Sequence, residues 1–167
     1  MDRAEIVAAL TALAGRLDAE GIQGEMYVVG GAAIALAYAP RRVTRDIDAV
    51  FEPKMSIYRV AVAIADELGL PPGWLNDAAK AFLAGPDPMA TPALDLPGLR
   101  CLVASPRMVL ALKVLAHRVG EDDDDVKLLA TMLELETAAD VLAVAEAVFG
   151  DRLDVAARFF VEEIFTA

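Results

Sequence analysis

Hydrophobic and polar positions follow two periods along this chain, and together they predict an α+β fold. A helical period places Leu10, Leu13 and Leu17 on one face and predicts a helix over about 2–19. Runs with β-strand character predict strands ending near 29 and over 45–51, with two short strands around a turn at 97–98. The other predicted helices cover about 30–39, 56–68, 74–83, 105–116, 122–135, 138–148 and 154–165. The pattern therefore predicts a small mixed β-sheet module flanked by helices, with a C-terminal helical region.

The predicted strand over 45–51 carries two acidic residues on one face. Side chains alternate along a strand, so Asp46 and Asp48 point the same way, whereas Ile47, Ala49 and Phe51 point toward a core. Carboxylates this close repel, and each tends to raise the pKa of the other. A divalent cation removes the conflict, and Mg²⁺ is suitable because it binds through one or two carboxylates plus substrate phosphates. The alternative is a solvated edge strand.

A glycine pair and a basic segment come before this strand. Gly30 and Gly31 stand where the first strand turns into a helix, and glycine permits a tight turn close to a ligand. The N–H groups at a helix N-terminus attract phosphate. Arg42, Thr44 and Arg45 add positive charge and a hydroxyl beside the acids. The alternatives are a simple tight turn and a solvated loop.

The order of these residues resembles a known pattern. Gly-Gly followed by Arg-x-Thr-x-Asp-x-Asp is similar to the nucleotidyltransferase superfamily that shares the DNA polymerase β palm. More narrowly, it resembles the abortive-infection AbiEii branch, the mycobacterial MenT-type toxins and their uncharacterised bacterial relatives. A second similar segment, 105–129, has Lys113, Arg118, Asp122, Asp125 and Val126 in the family's order. A third, the Trp-Leu-Asn block within 72–77, resembles a block found in some of those relatives.

The lysine of the second segment, Lys113, is unusual because its neighbours in the sequence are apolar. Ser105 and Pro106 suit the N-cap and first position of a helix, and every residue of 108–116 except Lys113 is apolar. Such a helix is buried, and a lysine within it is costly unless it pairs with an acid, contacts phosphate or snorkels to solvent. The resemblance implies that Lys113 lies near Asp46 and Asp48 and acts toward nucleotide phosphates. Snorkelling is the alternative.

Two further carboxylate positions follow from the resemblance. The acidic run 121–125 opens a helix, where capping and solubility explain most of its charge. Within the run the resemblance selects Asp122 and Asp125, and Asp122 is expected to face the site near Arg118 or Lys113. Many superfamily members have a third carboxylate on a later strand, and the candidate is Asp95. The alternative for Asp95 is an ordinary hairpin residue before the turn.

Composition and charge narrow the setting. The chain is 57% hydrophobic, but no apolar run approaches the roughly 18 residues of a membrane span, and its N-terminus is predicted to be a charged helix start and not a signal peptide. Cys101 is the single cysteine, which excludes an internal disulfide and fits a cytoplasmic location. Residues 120–167 contain 13 acidic and 3 basic side chains, against 13 and 12 in 1–119. The first part can therefore meet phosphates, while the acidic tail confers solubility or faces a basic partner such as an antitoxin.

The resemblance implies one nucleotidyltransferase-like domain over 1–167, with 1–104 as the sheet module and 105–167 as a helical tail packed on it. It implies transfer of a nucleoside monophosphate from an NTP to a hydroxyl of tRNA or a protein, by the toxin of a toxin–antitoxin or phage-defence system. The implied catalytic residues are Asp46, Asp48, Lys113 and Asp122, and the nucleotide-binding residues are Gly30, Gly31, Arg42, Thr44 and Arg45. Asp46, Asp48 and Asp95 would hold Mg²⁺, or Mn²⁺ as an alternative cation.

Two other classes of function stay open at this point. One is a non-catalytic protein of the same fold that binds nucleotide or a partner. The other is a small-molecule nucleotidyltransferase of the kind that modifies antibiotics. No membrane partner is expected.

Overall fold

The computed structural model describes residues 1–83 and 85–166 and has an α+β fold with C-terminal helices, as predicted. The strands are β1 (Gly24–Val28), β2 (Ile47–Glu52), β3 (Leu75–Asn76), β4 (Thr91–Leu96) and β5 (Leu99–Val103). The α-helices are α1 (Arg3–Ala19), α2 (Gly30–Ala33), α3 (Lys54–Leu68), α4 (Pro106–Leu115), α5 (Asp123–Met132), α6 (Ala138–Phe149) and α7 (Val155–Thr166). Within the described residues, none of these helices has the length and apolar character needed to span a membrane.

The described chain divides into two compact units. The sheet unit comprises 1–81 and 89–104 and contains all five strands with α1, α2 and α3. The helical unit comprises 82–88 and 105–167 and contains α4 to α7. The boundary after residue 104 agrees with the predicted end of the sheet module, whereas the segment 82–88 belongs to the helical unit.

The sheet is mixed and has one buried face. Its strand order is β3-β2-β1-β5-β4, with β1 antiparallel to β2 and parallel to β5. On β2 the predicted core residues Ile47, Ala49 and Phe51 are buried, while the alternate positions are not. Helices α1 and α3 cover this face: a methyl group placed on Gly24 would lie 3.2 Å from side-chain atoms of both Leu17 and Ile57. The opposite face of the strands therefore carries the polar chemistry.

Local signals in the sequence define where the main helices begin and end. At the start of α1 the Asp2 side chain accepts a hydrogen bond from Glu5 N, and Glu5 in turn accepts one from Asp2 N. Ser105 caps α4 by accepting from Met108 N at 3.2 Å. Helix α3 ends at Gly69, whose φ of 65° lies in the left-handed region that glycine tolerates.

The helix predicted over 74–83 is wrong. Residues Leu75–Asn76 form the edge strand β3, and only Ala78–Ala81 form a short 3₁₀ turn. The Trp74 carbonyl accepts from Ile47 N at 2.7 Å, and the buried Trp74 indole donates to Ala61 O at 3.0 Å. These bonds to β2 and α3 hold the segment extended, so tertiary pairing overrides its local helical preference.

Other predicted boundaries shift as well, among them the end of α5, which lies at Met132 and not at residue 135. Strand β2 begins at Ile47 and not at residue 45, so Asp46 lies just before the strand. The helix predicted over 30–39 is α2 followed by a π-helical turn, Ile34–Tyr38. Helix α3 begins at Lys54, two residues earlier than predicted. Of these shifts, the start of β2 matters for the site because strand alternation alone no longer orients Asp46.

Gly98, in the turn between β4 and β5, lies against α1, and substituting it measures how close this contact is. Its φ is 82°, and a methyl group there would lie 2.3 Å from Ala14 O and 2.5 Å from Asp18 N. Gly21 has φ of 70° with no atom within 4 Å of such a methyl group. We expect Gly21→Ala to lower the free energy of unfolding by about 1–2 kcal/mol through backbone strain alone. Gly98→Ala should cost about 1–3 kcal/mol more because of the added clash.

Urea unfolding followed by circular dichroism measures both Gly→Ala variants under the same conditions. Equal losses for the two would contradict the close contact between the hairpin and α1.

Candidate functional site

The glycine turn and the acidic strand meet at one end of the sheet. Val29 N donates to Asp48 O at 2.9 Å, which ties the residue before the turn to β2. Gly30 has φ of 61°, and a methyl group there would lie 3.4 Å from Asp48 Oδ2. Glycine thus supplies the left-handed backbone and leaves open space beside the Asp48 carboxylate.

Thr44 packs against the second glycine of the pair. A methyl group on Gly31 would lie 2.9 Å from Thr44 Oγ1, closer than side-chain carbons approach such an oxygen. The same hydroxyl donates to Asp46 O at 3.1 Å. The structure therefore brings together five residues that the sequence selected: Gly30, Gly31, Thr44, Asp46 and Asp48.

Asn76 belongs to the same cluster, but the sequence did not place it there because its segment was predicted to be a helix. Its Cα is the parallel partner of Asp48, so the two side chains share a face of the sheet. Asn76 Nδ2 donates to Asp46 Oδ2 at 3.0 Å. Asp46 is thereby brought to the side of the sheet that carries Asp48. The Trp-Leu-Asn block was the sequence signal that could have located Asn76.

Oxygen donors dominate this cluster, which suits a hard cation. Asp46 and Asp48 are both half-buried, and the space beside Asp48 is kept free by Gly30. Among residues 1–83 and 85–166, no group of three or more His, Cys, Asp or Glu side chains converges on one point. Two carboxylates fit Mg²⁺, which completes its coordination with water and substrate phosphate.

The basic residues chosen from the sequence lie in the loop that leads into β2. Arg42 is half-buried, and its backbone N donates to Ala39 O at 2.8 Å. Arg45 is exposed. Both belong to the sheet unit, as a contribution to phosphate binding requires.

Asp95 lies far from these acids. It is opposite Arg100 on β5, Arg100 is opposite Glu25 on β1, and Glu25 is opposite Glu52 on β2. This row is about 14 Å long, and Asp48 is a further 13 Å or so along β2 from Glu52. Asp95 is also exposed. The sheet register therefore separates it from Asp46 and Asp48, and it belongs to the hairpin.

The face that bears Asp48 continues into a shallow groove of about 320 Å³. Its apolar floor is half-exposed, and its polar side chains come from three neighbouring strands. The floor contains Tyr27, Val50 and Leu102, and the polar side chains are Glu25, Glu52 and Arg100. Such a groove can accept an organic group on the face of the sheet that carries Asp48.

Lys113 is buried in the helical unit and is paired with acids of that unit. Its side chain is 9% exposed, and its ion-pair partners are Asp122 and Asp125, whose side chains are 3% and 2% exposed. The distance from Lys113 Nζ to Asp125 Oδ2 is 2.9 Å. The lysine thus has the acidic partners that its burial demands and does not snorkel to solvent. Its expected position near Asp46 and Asp48 stays a prediction.

Asp122 is the centre of this ion-pair network. In addition to its ion pair with Lys113, Asp122 accepts hydrogen bonds from Arg118 Nε at 3.1 Å and from Arg118 N at 3.0 Å. Burial acts to raise the pKa of Asp122, but the hydrogen bonds from Arg118 and Lys113 outweigh it and hold that pKa below its ordinary value. The rest of the acidic run behaves differently, since Glu121 and Asp124 are exposed.

Cys101 and His117 are two further side chains with reactive groups, and both pack within the protein. Cys101 is buried on β5, and burial raises the pKa of its thiol to about 12, so it stays protonated. His117 stacks on Phe160 with ring centroids 5.2 Å apart. The buried, protonated thiol of Cys101 lacks the exposure and low pKa expected of a nucleophile.

Comparisons with known proteins identify no relative. No protein-family model matches the chain, and comparison with curated proteins gives no match. Comparison with solved structures gives none either. The fold and the cluster alone therefore define the class of protein: an α+β protein with two half-buried carboxylates beside a glycine turn.

Removing the positive charge of Lys113 should be strongly destabilising. Lys113→Met keeps the apolar stem but leaves Asp122 and Asp125 buried without their ammonium partner. We expect the free energy of unfolding to fall by about 3–5 kcal/mol. Lys127→Met, at an exposed position on α5, is the matched control and should stay within about 0.5 kcal/mol of the wild type. A loss below about 1 kcal/mol for Lys113→Met in urea unfolding would contradict the network.

The lowered pKa of Asp122 predicts a specific loss of stability in acid. A carboxyl group whose pKa is lower in the folded state stabilises the fold fully above its unfolded pKa of about 3.9 and loses this contribution as pH falls through the folded pKa. The stability difference between wild type and Asp122→Asn should therefore be constant above about pH 5 and shrink below about pH 4. Asp124→Asn, an exposed neighbour, is the control. A difference that does not change down to pH 2 would refute this role.

Proposed function

We propose that this chain is a metal-dependent nucleotidyltransferase that moves a nucleoside monophosphate from an NTP to an acceptor hydroxyl. The observation that carries the proposal is the convergence of the Gly30–Gly31 turn, Thr44 and the two carboxylates Asp46 and Asp48 at one end of the sheet. A glycine turn that opens a helix suits phosphate, and paired carboxylates suit the cation that accompanies a triphosphate.

Each residue of the cluster has a defined task in this proposal. Gly30 and Gly31 let backbone N–H groups approach the β- and γ-phosphates, and Thr44 supports the turn. Asp46 and Asp48 would hold Mg²⁺, which when bound offsets charge on the triphosphate. The acceptor oxygen forms a bond to the α-phosphorus, the bond from that phosphorus to the bridging oxygen breaks, pyrophosphate leaves, and the hydroxyl proton passes to solvent. Catalysis rests on positioning and electrostatics.

The finer parts of the proposal are supported by the resemblance. It assigns Lys113 and Asp122 to catalysis, Arg42 and Arg45 to the nucleotide, and tRNA or a protein as acceptor. It also favours a toxin of a toxin–antitoxin or phage-defence system, with a basic antitoxin that could meet the acidic helices. The net charge of −10 over 120–167 is compatible with such a partner.

A small-molecule acceptor is the second candidate, and one observation favours it. Glu25 and Glu52 are directly opposite each other on β1 and β2, in the groove that continues from Asp48. Like charges in this position repel. Arg100, opposite Glu25, and Lys80, 3.9 Å from Glu52 Oε1, offset part of this charge, and a cationic group bound between the two glutamates would offset the rest. With two acidic side chains and one basic side chain, the groove favours an amine-bearing antibiotic over a polyanion such as tRNA.

Incubation of the protein with each labelled NTP and with bulk tRNA, total protein or aminoglycosides separates these candidates. Label on tRNA or protein supports the toxin proposal, and label on an aminoglycoside supports the second candidate. Binding of NTP without transfer to any acceptor would favour the non-catalytic alternative.

Asp48→Asn tests the shared core of these proposals. The change removes one cation ligand while preserving size, so Mg²⁺-dependent NTP affinity should fall by at least about 10–100-fold. Stability should be unchanged or slightly higher, because repulsion between Asp46 and Asp48 is relieved. Asp95→Asn, on the far edge of the same sheet, is the matched control and should bind as the wild type does. Identical calorimetric titrations of wild type and Asp48→Asn would refute the metal site.

A further inference from the structure

We infer that Asn76 is a positioning residue that orients Asp46 for cation binding and does so without adding a third negative charge. The contact between the two side chains is independent of any activity. The consequence for the cation rests on the proposed function.

The orientation of the Asn76 side chain is fixed by its two hydrogen bonds. Its Oδ1 accepts from Ala78 N at 3.1 Å, and its Nδ2 donates to Asp46 Oδ2 at 3.0 Å. Because the carbonyl end is engaged by a backbone N–H, the amino end must face the carboxylate. Asn76 therefore acts on Asp46 as a donor, and its own oxygen is not turned toward the acids.

Asn76 is held from both sides along the chain. On one side, buried Trp74 is anchored by its indole bond to Ala61 O. On the other side, Asp77 accepts from Tyr58 Oη at 2.7 Å and pairs with Lys54. These contacts on α3 leave the segment little freedom to move. A rigid supporting residue is what keeps a metal ligand in a productive geometry.

The choice of amide over carboxylate sets the charge of the site. An aspartate at position 76 would place a third carboxylate at hydrogen-bonding distance from Asp46, where the charges repel in the absence of a cation. The amide of Asn76 instead stabilises the Asp46 carboxylate in the cation-free state. It engages Asp46 Oδ2 and leaves Asp46 Oδ1 available to a cation. Asn76→Asp should therefore weaken the cation-free protein and strengthen cation binding, whereas Asn76→Ala should weaken cation binding.

The composition of the chain makes the Asn76 contact directly observable by NMR. Asn76 is the only asparagine and Gln23 the only glutamine, so the side-chain amide region contains two NH₂ groups. Gln23 is exposed and lies about 20 Å from the acids, at the far end of β1. Asp46→Ala should shift the Asn76 amide protons and leave those of Gln23 unchanged. Substoichiometric Mn²⁺ should broaden the Asn76 signals selectively in the wild type.

Mn²⁺ titration without nucleotide then measures the energetic effect. We expect Asn76→Ala to bind Mn²⁺ about 10–100-fold more weakly than the wild type. Asn76→Asp should bind more tightly, with a lower Tm than the wild type in EDTA and a larger Mn²⁺-dependent rise in Tm. Asp95→Asn is the matched control for changes of surface charge.

The outcomes separate this inference from the proposed function. Wild-type affinity in Asn76→Ala, or Asn76 amide signals that respond to neither Asp46→Ala nor Mn²⁺, would overturn the role of Asn76. If the wild type binds Mn²⁺ and the Asn76 signals respond as stated but no NTP is transferred, the proposed function fails while the positioning role stands. Failure of the wild type to bind Mn²⁺ would overturn both. The NMR test on the wild type holds even if Asn76→Asp does not fold.

Discussion

Strand β2 is hydrogen-bonded through its backbone on both sides at the level of its acids. Val29 N donates to Asp48 O at 2.9 Å, and Ile47 N donates to Trp74 O at 2.7 Å. An interior backbone group that loses its partner is costly, so the glycine turn on one side and β3 on the other cannot shift independently of β2. The backbone hydrogen bonds of the sheet therefore set the distances between the glycine turn, Asp48 and Asn76.

The sequence was most informative where one period dominates. Ile47, Ala49 and Phe51 recur at every second position, and this pattern correctly predicted a strand with a core face. Strand β3 was not predictable in this way, because two residues have no measurable period and the alanine-rich residues after them favour a helix. Its pairing depends on Trp74 reaching α3, which is a tertiary contact. As a result the glycine turn and acids were found from sequence, whereas Asn76 was not.

The acidic run 121–125 is a second case in which local sequence patterns do not predict which side chains are buried. Helix capping preferences do not distinguish the five consecutive acids from one another. In the structure, however, Asp122 and Asp125 are buried, while Asp124 and Glu121 are exposed. Residues three apart share a helix face, and this face meets Lys113. Burial of the lysine was predictable from its apolar surroundings. Charge pattern alone could not identify its partners, but the resemblance selected Asp122 and Asp125, and Asp122 does lie against Arg118 and Lys113 as expected.

The two sets of acids stand in opposite electrostatic conditions, and this difference bears on which of them can act on a ligand. Asp122 and Asp125 already share the ammonium of Lys113, so a lysine that served a phosphate would have to give up at least one buried pair. Asp46 and Asp48 are only half-buried, and Asp46 accepts from the neutral amide of Asn76. A structural role for the Lys113 network needs no rearrangement, whereas a catalytic one does. Of these two sets of acids, Asp46 and Asp48 are therefore the pair that a cation could meet without separating the buried ion pairs of Lys113.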